Sequence, residues 1–325
     1  MPVPPATDPL TDRSARHRET PSEMSPSSTA AGRKAYALLT LTALLWAGNA
    51  AAGKMAVGEV SPQALTCLRW AVACAVLAVI ARRPLLAEWD RLVPSWRRVL
   101  AMGACGYTLY ASLFYAAGTL TSGVNLALLQ GAIPVLVILL NVAFYRRAVS
   151  SGQAIGVAIT LFGAAVAASH GDWRVLATLA FNGGDLLMLA ACVLYAGYTV
   201  ALPSRPKVSA LTFFTAMAAA ALVTSLPLLA AEWATGHLIW PTPKGWLIVA
   251  FVGLGPSLTA QLFFMRGVEL IGPNRAGLFV NLVPVFGAGL AVLLVGEPFG
   301  WNDALALGLV LGGIVVAERL GRRPA

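Results

Sequence analysis

The chain has 325 residues, of which 58% are hydrophobic and 11% charged, with a mean hydropathy of +0.74, whereas a soluble globular domain carries about 25% charge. This composition excludes an ordinary water-soluble domain and makes a lipid bilayer the solvent for most of the length. The formal charge of +9 does not point to nucleic acid, because Lys and Arg stand singly or in pairs between apolar runs, as topology signals do, and not along a phosphate-tracking groove.

Residues 1–34, rich in Pro, Ser, Thr and mixed charge, are predicted as a disordered cytoplasmic tail, too poor in apolar groups to offset the entropy of ordering. They lack the apolar core and cleavage site of a secretory signal, so the first apolar helix is expected to serve as an uncleaved anchor. Ten apolar stretches follow, near 36–57, 63–81, 99–117, 123–145, 152–169, 184–202, 209–231, 246–264, 273–295 and 302–318. Each has the length of a helix crossing the hydrocarbon core, and none shows the strict alternation of a barrel strand. The expected fold is therefore an all-α integral membrane protein of ten transmembrane helices. Cys67, Cys74, Cys105 and Cys192 all fall inside apolar segments without the Cys or His partners of a metal or redox site. They read as packing thiols, and no metal or cofactor is expected.

Counting alternate loops with the amino terminus inside places sixteen Lys and Arg on the cytoplasmic side and three, Lys54, Arg174 and Lys244, outside, leaving aside the tail and the intramembrane Arg69. That asymmetry predicts a multi-pass protein of the inner (plasma) membrane with both termini cytoplasmic. The chain also repeats. Leu113-Phe114, Gly118, Gly123 and Asn125 recur 149 residues later as Leu262-Phe263, Gly267, Gly272 and Asn274, and Ala64-Leu65-Thr66 recurs as Ala210-Leu211-Thr212. Five helices per unit force the second copy to lie upside down, so the expectation is two inverted five-helix repeats, 35–170 and 183–319, joined by an extracytoplasmic linker, 171–182, and closed by a short tail, 320–325.

The stretches LLWAGNAAAGKMAVGEVSPQALTCLRW (44–70), LALLQGAIPVLVILL (126–140) and GLFVNLVPVFGAGLAVLLVGEPFGWNDALALGLVLGGIVV (277–316) resemble the EamA-type transporters of the drug/metabolite transporter superfamily. The resemblance implies a ten-helix carrier with a central cavity that moves small metabolites such as amino acids, often outward. Members often carry Gly-Glu at the end of the penultimate helix of each repeat. Here Gly296-Glu297 fits, but the matching first-repeat positions are Arg146-Arg147.

Polar side chains at bilayer depth are costly, so each is a functional candidate, with interhelical hydrogen bonding as the plainer alternative. The substrate-binding candidates are Trp46, Asn49, Tyr107, Tyr110, Gln130, Tyr195, Tyr198 and Asn281, with Gln261 nearby. Together they would offer aromatic faces and neutral hydrogen-bonding groups to a small amphipathic solute. Pro134 and Pro284 sit at equivalent places, where a missing amide frees a carbonyl for the solute or merely sets a static kink; Pro256 could act alike. Lys54 and Arg69 either snorkel to the outer interface or form a positive outer vestibule. The nearest acids to the membrane interior are Asp185 and Glu297. Gly152 with Gly156, and Gly308 with Gly312, read as close helix packing, with a homodimer contact as the lesser option. The expected function is a secondary transporter working by efflux or exchange through alternating access, and not an enzyme. A receptor or scaffold without transport is the alternative.

Overall fold

The computed structural model describes residues 26–146, 150–169, 171, 172, 174 and 182–320, and among these every regular element is helical. In chain order they are α1 (Pro26–Met55), α2 (Pro62–Ile80), α3 (Trp89–Gly118), α4 (Gly123–Gln130), α5 (Ile133–Tyr145), α6 (Ser151–Ala168), α7 (Gly183–Ala201), α8 (Ala210–Ala234), α9 (Pro243–Ile271), α10 (Arg275–Val295) and α11 (Trp301–Leu320). Eight described helices are long and apolar enough to cross a membrane, nine if the bent pair α4–α5 is one span, and α11 adds a shorter apolar helix. The outer surface is itself apolar: Leu293, Val79, Leu247 and Phe144 are all more than 70% exposed, which is stable against lipid and not against water.

Several segments depart from the sequence expectation: α3 starts at Trp89 and not near 99, and α9 runs on to Ile271 and not to 264. Residues 26–34, assigned to the disordered tail, belong to α1; the hydrogen bonds of an established helix propagate one residue at a time beyond the apolar run that nucleates it. The span expected over 123–145 is two helices with a bend of about 40°. Pro134 near the start of α5 has no amide for the carbonyl of Gln130, so the ladder breaks at Gly131-Ala132. In α10 the equivalent Pro284 follows a 3₁₀ turn, Phe279–Leu282.

The repeat is visible in the backbone. α3 carries a π turn over Ala104–Leu109 and α9 one over Gly253–Thr259, 149 residues apart at their starts. α2 packs on its repeat counterpart α8, α4 on α10 and α6 on α11, while α3 packs on α7 and α1 on α9. The α6–α11 contact needs glycine: a Cβ on Gly156 would come within 2.4 Å of the Ala317 nitrogen, and one on Gly313 within 2.3 Å of Thr160 Oγ1. Gly308 and Gly312 meet nothing within 4 Å and take no part in that contact.

Carboxylates clasp the halves by capping helix starts across the repeat. Glu232, in the last turn of α8, accepts from Ser61 Oγ (2.5 Å) and from the Gln63 and Ala64 amides at the start of α2. Glu88, which ends the short helix Arg82–Ala87 between α2 and α3, accepts from the Ser209 amide and hydroxyl at the start of α8. Since each helix end sits on the other's beginning, α2 and α8 run antiparallel. Glu297 likewise follows α10 and accepts from the Gly123 and Val124 amides (2.8 and 2.9 Å) that open α4, so α4 and α10 are antiparallel too. Aligned peptide dipoles and unpaired amides make a helix start the natural seat for an anion.

Glu232→Ala strips the start of α2 of its acceptor and is expected to cost about 1–3 kcal/mol, read as a lower thermal-unfolding midpoint in detergent, with Glu232→Gln in between. The hydroxyls of Thr212 and Ser209 hold the Glu88 carboxyl below its ordinary range. A depressed folded value means that the stabilisation is present at neutral pH and fades as pH falls through it. The wild type should therefore lose more thermal stability between pH 7 and 4 than Glu88→Gln does.

Candidate functional site

Within the bundle lies a cavity of about 140 Å³ walled by residues from both halves. Trp46 and Asn49 come from α1, Tyr107 and Tyr110 from α3, Gln130 and Pro134 from α4 and α5, Tyr195 from α7, Pro256 and Gln261 from α9, and Asn281 and Pro284 from α10. Arg69 from α2 is also in the wall. Of the candidates read from the sequence, the structure brings these together and leaves two outside. Tyr198 is buried behind the wall, its ring where a Cβ on Gly106 would fall at 2.4 Å, and it touches the cavity only through Tyr107 and Tyr195, at 5.6 and 5.5 Å between ring centres. Lys54 donates to the carbonyls of Gly118 and Thr121 (3.2 and 2.9 Å) beyond the end of α3, where it satisfies the unpaired acceptors of a helix terminus.

The centre of the site is therefore not a vestibule shared by Lys54 and Arg69. Arg69 is only 6% exposed. Its Nε donates to Ser257 Oγ (2.8 Å), and its Nη1 donates to Tyr115 Oη (2.5 Å), with Asn49 Oδ1 at 3.5 Å. The Tyr115 hydroxyl in turn donates to Asn49 Oδ1 (2.7 Å). On the other side, Pro256 cannot serve the Val252 carbonyl one turn back. The Ser257 hydroxyl does so instead (2.7 Å), which turns its lone pairs toward Arg69. The guanidinium thus ties α1, α2 and α3 of the first half to α9 of the second.

Aromatic rings close the rest. Trp70 stacks on Tyr107 (centres 4.7 Å apart, planes 2°), and Tyr110 meets Tyr195 at 5.0 Å. Trp46 packs on Phe264 at 5.3 Å and donates its Nε1–H to the Pro256 carbonyl (3.2 Å). Pro134 leaves the Gln130 carbonyl without its amide one turn on, whereas the 3₁₀ turn gives the Val280 carbonyl the Val283 amide instead; both residues lie in the wall. Asp185 is fully buried but lies outside the wall, accepting from Thr121 Oγ1 (2.6 Å) and Asn125 Nδ2 (3.1 Å).

The sequence reading passed over Trp70, Tyr115 and Ser257. A regular helix sets Tyr115 about 80° round from Tyr107, whereas the extra residue of the π turn brings both onto the α2 side, Tyr107 on Trp70 and Tyr115 on Arg69. For Ser257, adjacency to an intramembrane proline was the available signal.

Ser257→Ala leaves both the Val252 carbonyl and Arg69 Nε without partners and is expected to cost about 1–3 kcal/mol, seen as a lower unfolding midpoint. Ser257→Thr, which keeps the hydroxyl, should recover most of it.

The EamA-like transporter family model matches two successive stretches, residues 33–169 and 182–318. An uncharacterized transporter, YyaM, of Bacillus subtilis (strain 168) is 25% identical over 280 residues, covering 83% of this chain and 89% of its own. An uncharacterized transporter of Archaeoglobus fulgidus is 25% identical over 288 residues, covering 88% and 99%. A solved crystal structure with 23% identity covers 92% of this chain and 99% of its own at a TM-score of 0.57, a likeness of fold. The chain belongs to the EamA-like transporter family.

Proposed function

We propose that this EamA-family membrane transporter is a secondary carrier in which two inverted five-span halves rock about the Arg69 cavity, exposing it to one side of the membrane at a time. Ten spans follow if α4–α5 and α11 each cross, and the charge asymmetry of the loops then sets both termini in the cytoplasm of an inner-membrane protein. The observation that carries the reading is the cavity itself. A polar, aromatic-lined chamber sits between the halves of an otherwise apolar bundle, with broken or π-turned helices opening onto it. Irregular backbone at membrane depth is tolerated where it faces such a chamber. The mix of rings, amides and the Gln130 carbonyl suits small amphipathic metabolites, moved outward or by exchange.

The two ends of the bundle are tied unequally. On the side assigned to the exterior, Glu232 and Glu297 cap helices across the repeat, Lys54 ties α1 to the end of α3, and Glu59 binds Lys244 and Thr242. On the cytoplasmic side, Glu88 on Ser209 is the one carboxylate clasp among the described residues, beside Arg98 on the Ser204 carbonyl and Ser150 on the Leu320 carbonyl, against three carboxylate clasps outside. This asymmetry favours a state closed outward, with the chamber facing the cytoplasm.

Single-cysteine labelling in sealed cells tests the arrangement. Cysteines at 120 and 271 should react from opposite faces, the first from outside. Reaction from one face alone would remove the inverted-repeat carrier. In proteoliposomes, Tyr195→Ala and Asn281→Ala should lower flux at least tenfold without loss of membrane insertion. Solute binding without any flux would favour the receptor reading.

A further inference from the structure

We infer that the solute is a small monoanion, a carboxylate on a compact apolar body, whose negative group binds the free edge of Arg69. This rests on the carrier reading above and adds the charge and size of what is carried. Arginine keeps its proton in any protein setting, so Arg69, 6% exposed, is a full positive charge inside the bundle. Its surroundings are neutral: Ser257, Tyr115 and Asn49 by hydrogen bond, and the rings of Trp70 and Tyr115 at 5.2 and 5.5 Å. The ion pairs found among the described residues are Lys244–Glu59 and Arg266–Glu269, and neither includes it. A buried charge without a counter-charge is among the costliest groups a membrane protein can hold.

The geometry leaves a place for that counter-charge. Nε and Nη1 are engaged, whereas Nη2 has no hydrogen-bond partner among the described residues. An anionic oxygen would give Nη2 its acceptor and neutralise the guanidinium together, in a charge-assisted hydrogen bond about twice as strong as a neutral one.

Charge counting fixes the class. Arg69 is the one charged side chain in the wall. A monoanion brings the loaded chamber to zero. A dianion would leave one negative charge unpaired, and a zwitterion would bring an ammonium for which the wall holds no carboxylate. The chamber, about 140 Å³, has room for a body of benzene's size, which an engineered cavity of roughly 150 Å³ admits. The rings of Tyr107, Tyr110, Tyr195 and Trp46 would cover the apolar body.

The test uses the detergent-purified full chain, titrated by thermal shift with monocarboxylates from acetate to benzoate, each beside its neutral amide, and with phenylalanine as a zwitterion. Benzoate should bind at least tenfold more tightly than benzamide and phenylalanine. Arg69→Gln should remove that preference, and Arg69→Lys should keep part of it. Equal affinity for benzoate and benzamide, preference for the zwitterion, or wild-type benzoate affinity in Arg69→Gln would each overturn the inference. Should Arg69→Gln fail to fold, the charge preference of the wild type decides alone. Flux in proteoliposomes, with benzenesulfonate as a permanently charged monoanion, separates the two levels. Passage of neutral or zwitterionic solutes without the monoanion ends this inference and leaves the carrier standing. No passage of any class ends the carrier reading as well.

Discussion

Hydrocarbon offers no hydrogen bonds, so each polar group taken into the bundle must find its partner in the protein or face the chamber. Much of the architecture follows from this. Where Pro256 breaks the ladder of α9, the next side chain, Ser257, bonds the stranded Val252 carbonyl, and the same oxygen then accepts from Arg69. One local repair thereby becomes a tie between halves. Lys54 does the same for the carbonyls beyond α3, and Asn49 and Tyr115 share a hydroxyl proton beside the guanidinium.

Helix starts obey the same rule, and it explains why the first repeat departs from the Gly-Glu pattern. Glu297 is bound by two amides, those of Gly123 and Val124. One repeat later the equivalent residues are Gly272 and Pro273. The Gly272 amide is already bonded to the Val268 carbonyl, and proline has no amide to give. An acid at position 146 or 147 would therefore have no amide pair to cap, and the sequence places Arg146 and Arg147 there. The α2–α8 pair is clasped at both ends, whereas the α4–α10 pair carries this carboxylate clasp at one end only.

The frame repeats while its contents do not. Under the 146-residue register of α2 and α8, Arg69 falls opposite Thr215, and under the 149-residue register of α1 and α7, Trp46 and Asn49 fall opposite Tyr195 and Tyr198. Related backbones, down to the paired π turns, therefore surround a chamber with its charge on one side.

Apolar run lengths gave the helices and their lipid-facing surface, because burial of backbone in lipid imposes a length and a composition that read directly from the chain; the two units came from residues that recur 149 positions on, and the family from the resemblance of the motifs. Polar residues within those runs gave most of the chamber wall for a related reason: a costly side chain at depth is there for a partner. Which partner it has is a matter of three dimensions. Arg69 and Lys54 looked alike as cations near helix ends, and only the packing of α2 against α9 and of α1 against the end of α3 separates a buried charge in the wall from a helix-end tie. Tyr115 gained its place through a π turn, and Tyr198 lost its own to Gly106. Sequence sets how much polarity enters the membrane, but phase shifts within helices and contacts between residues 46 to 188 positions apart decide where it points.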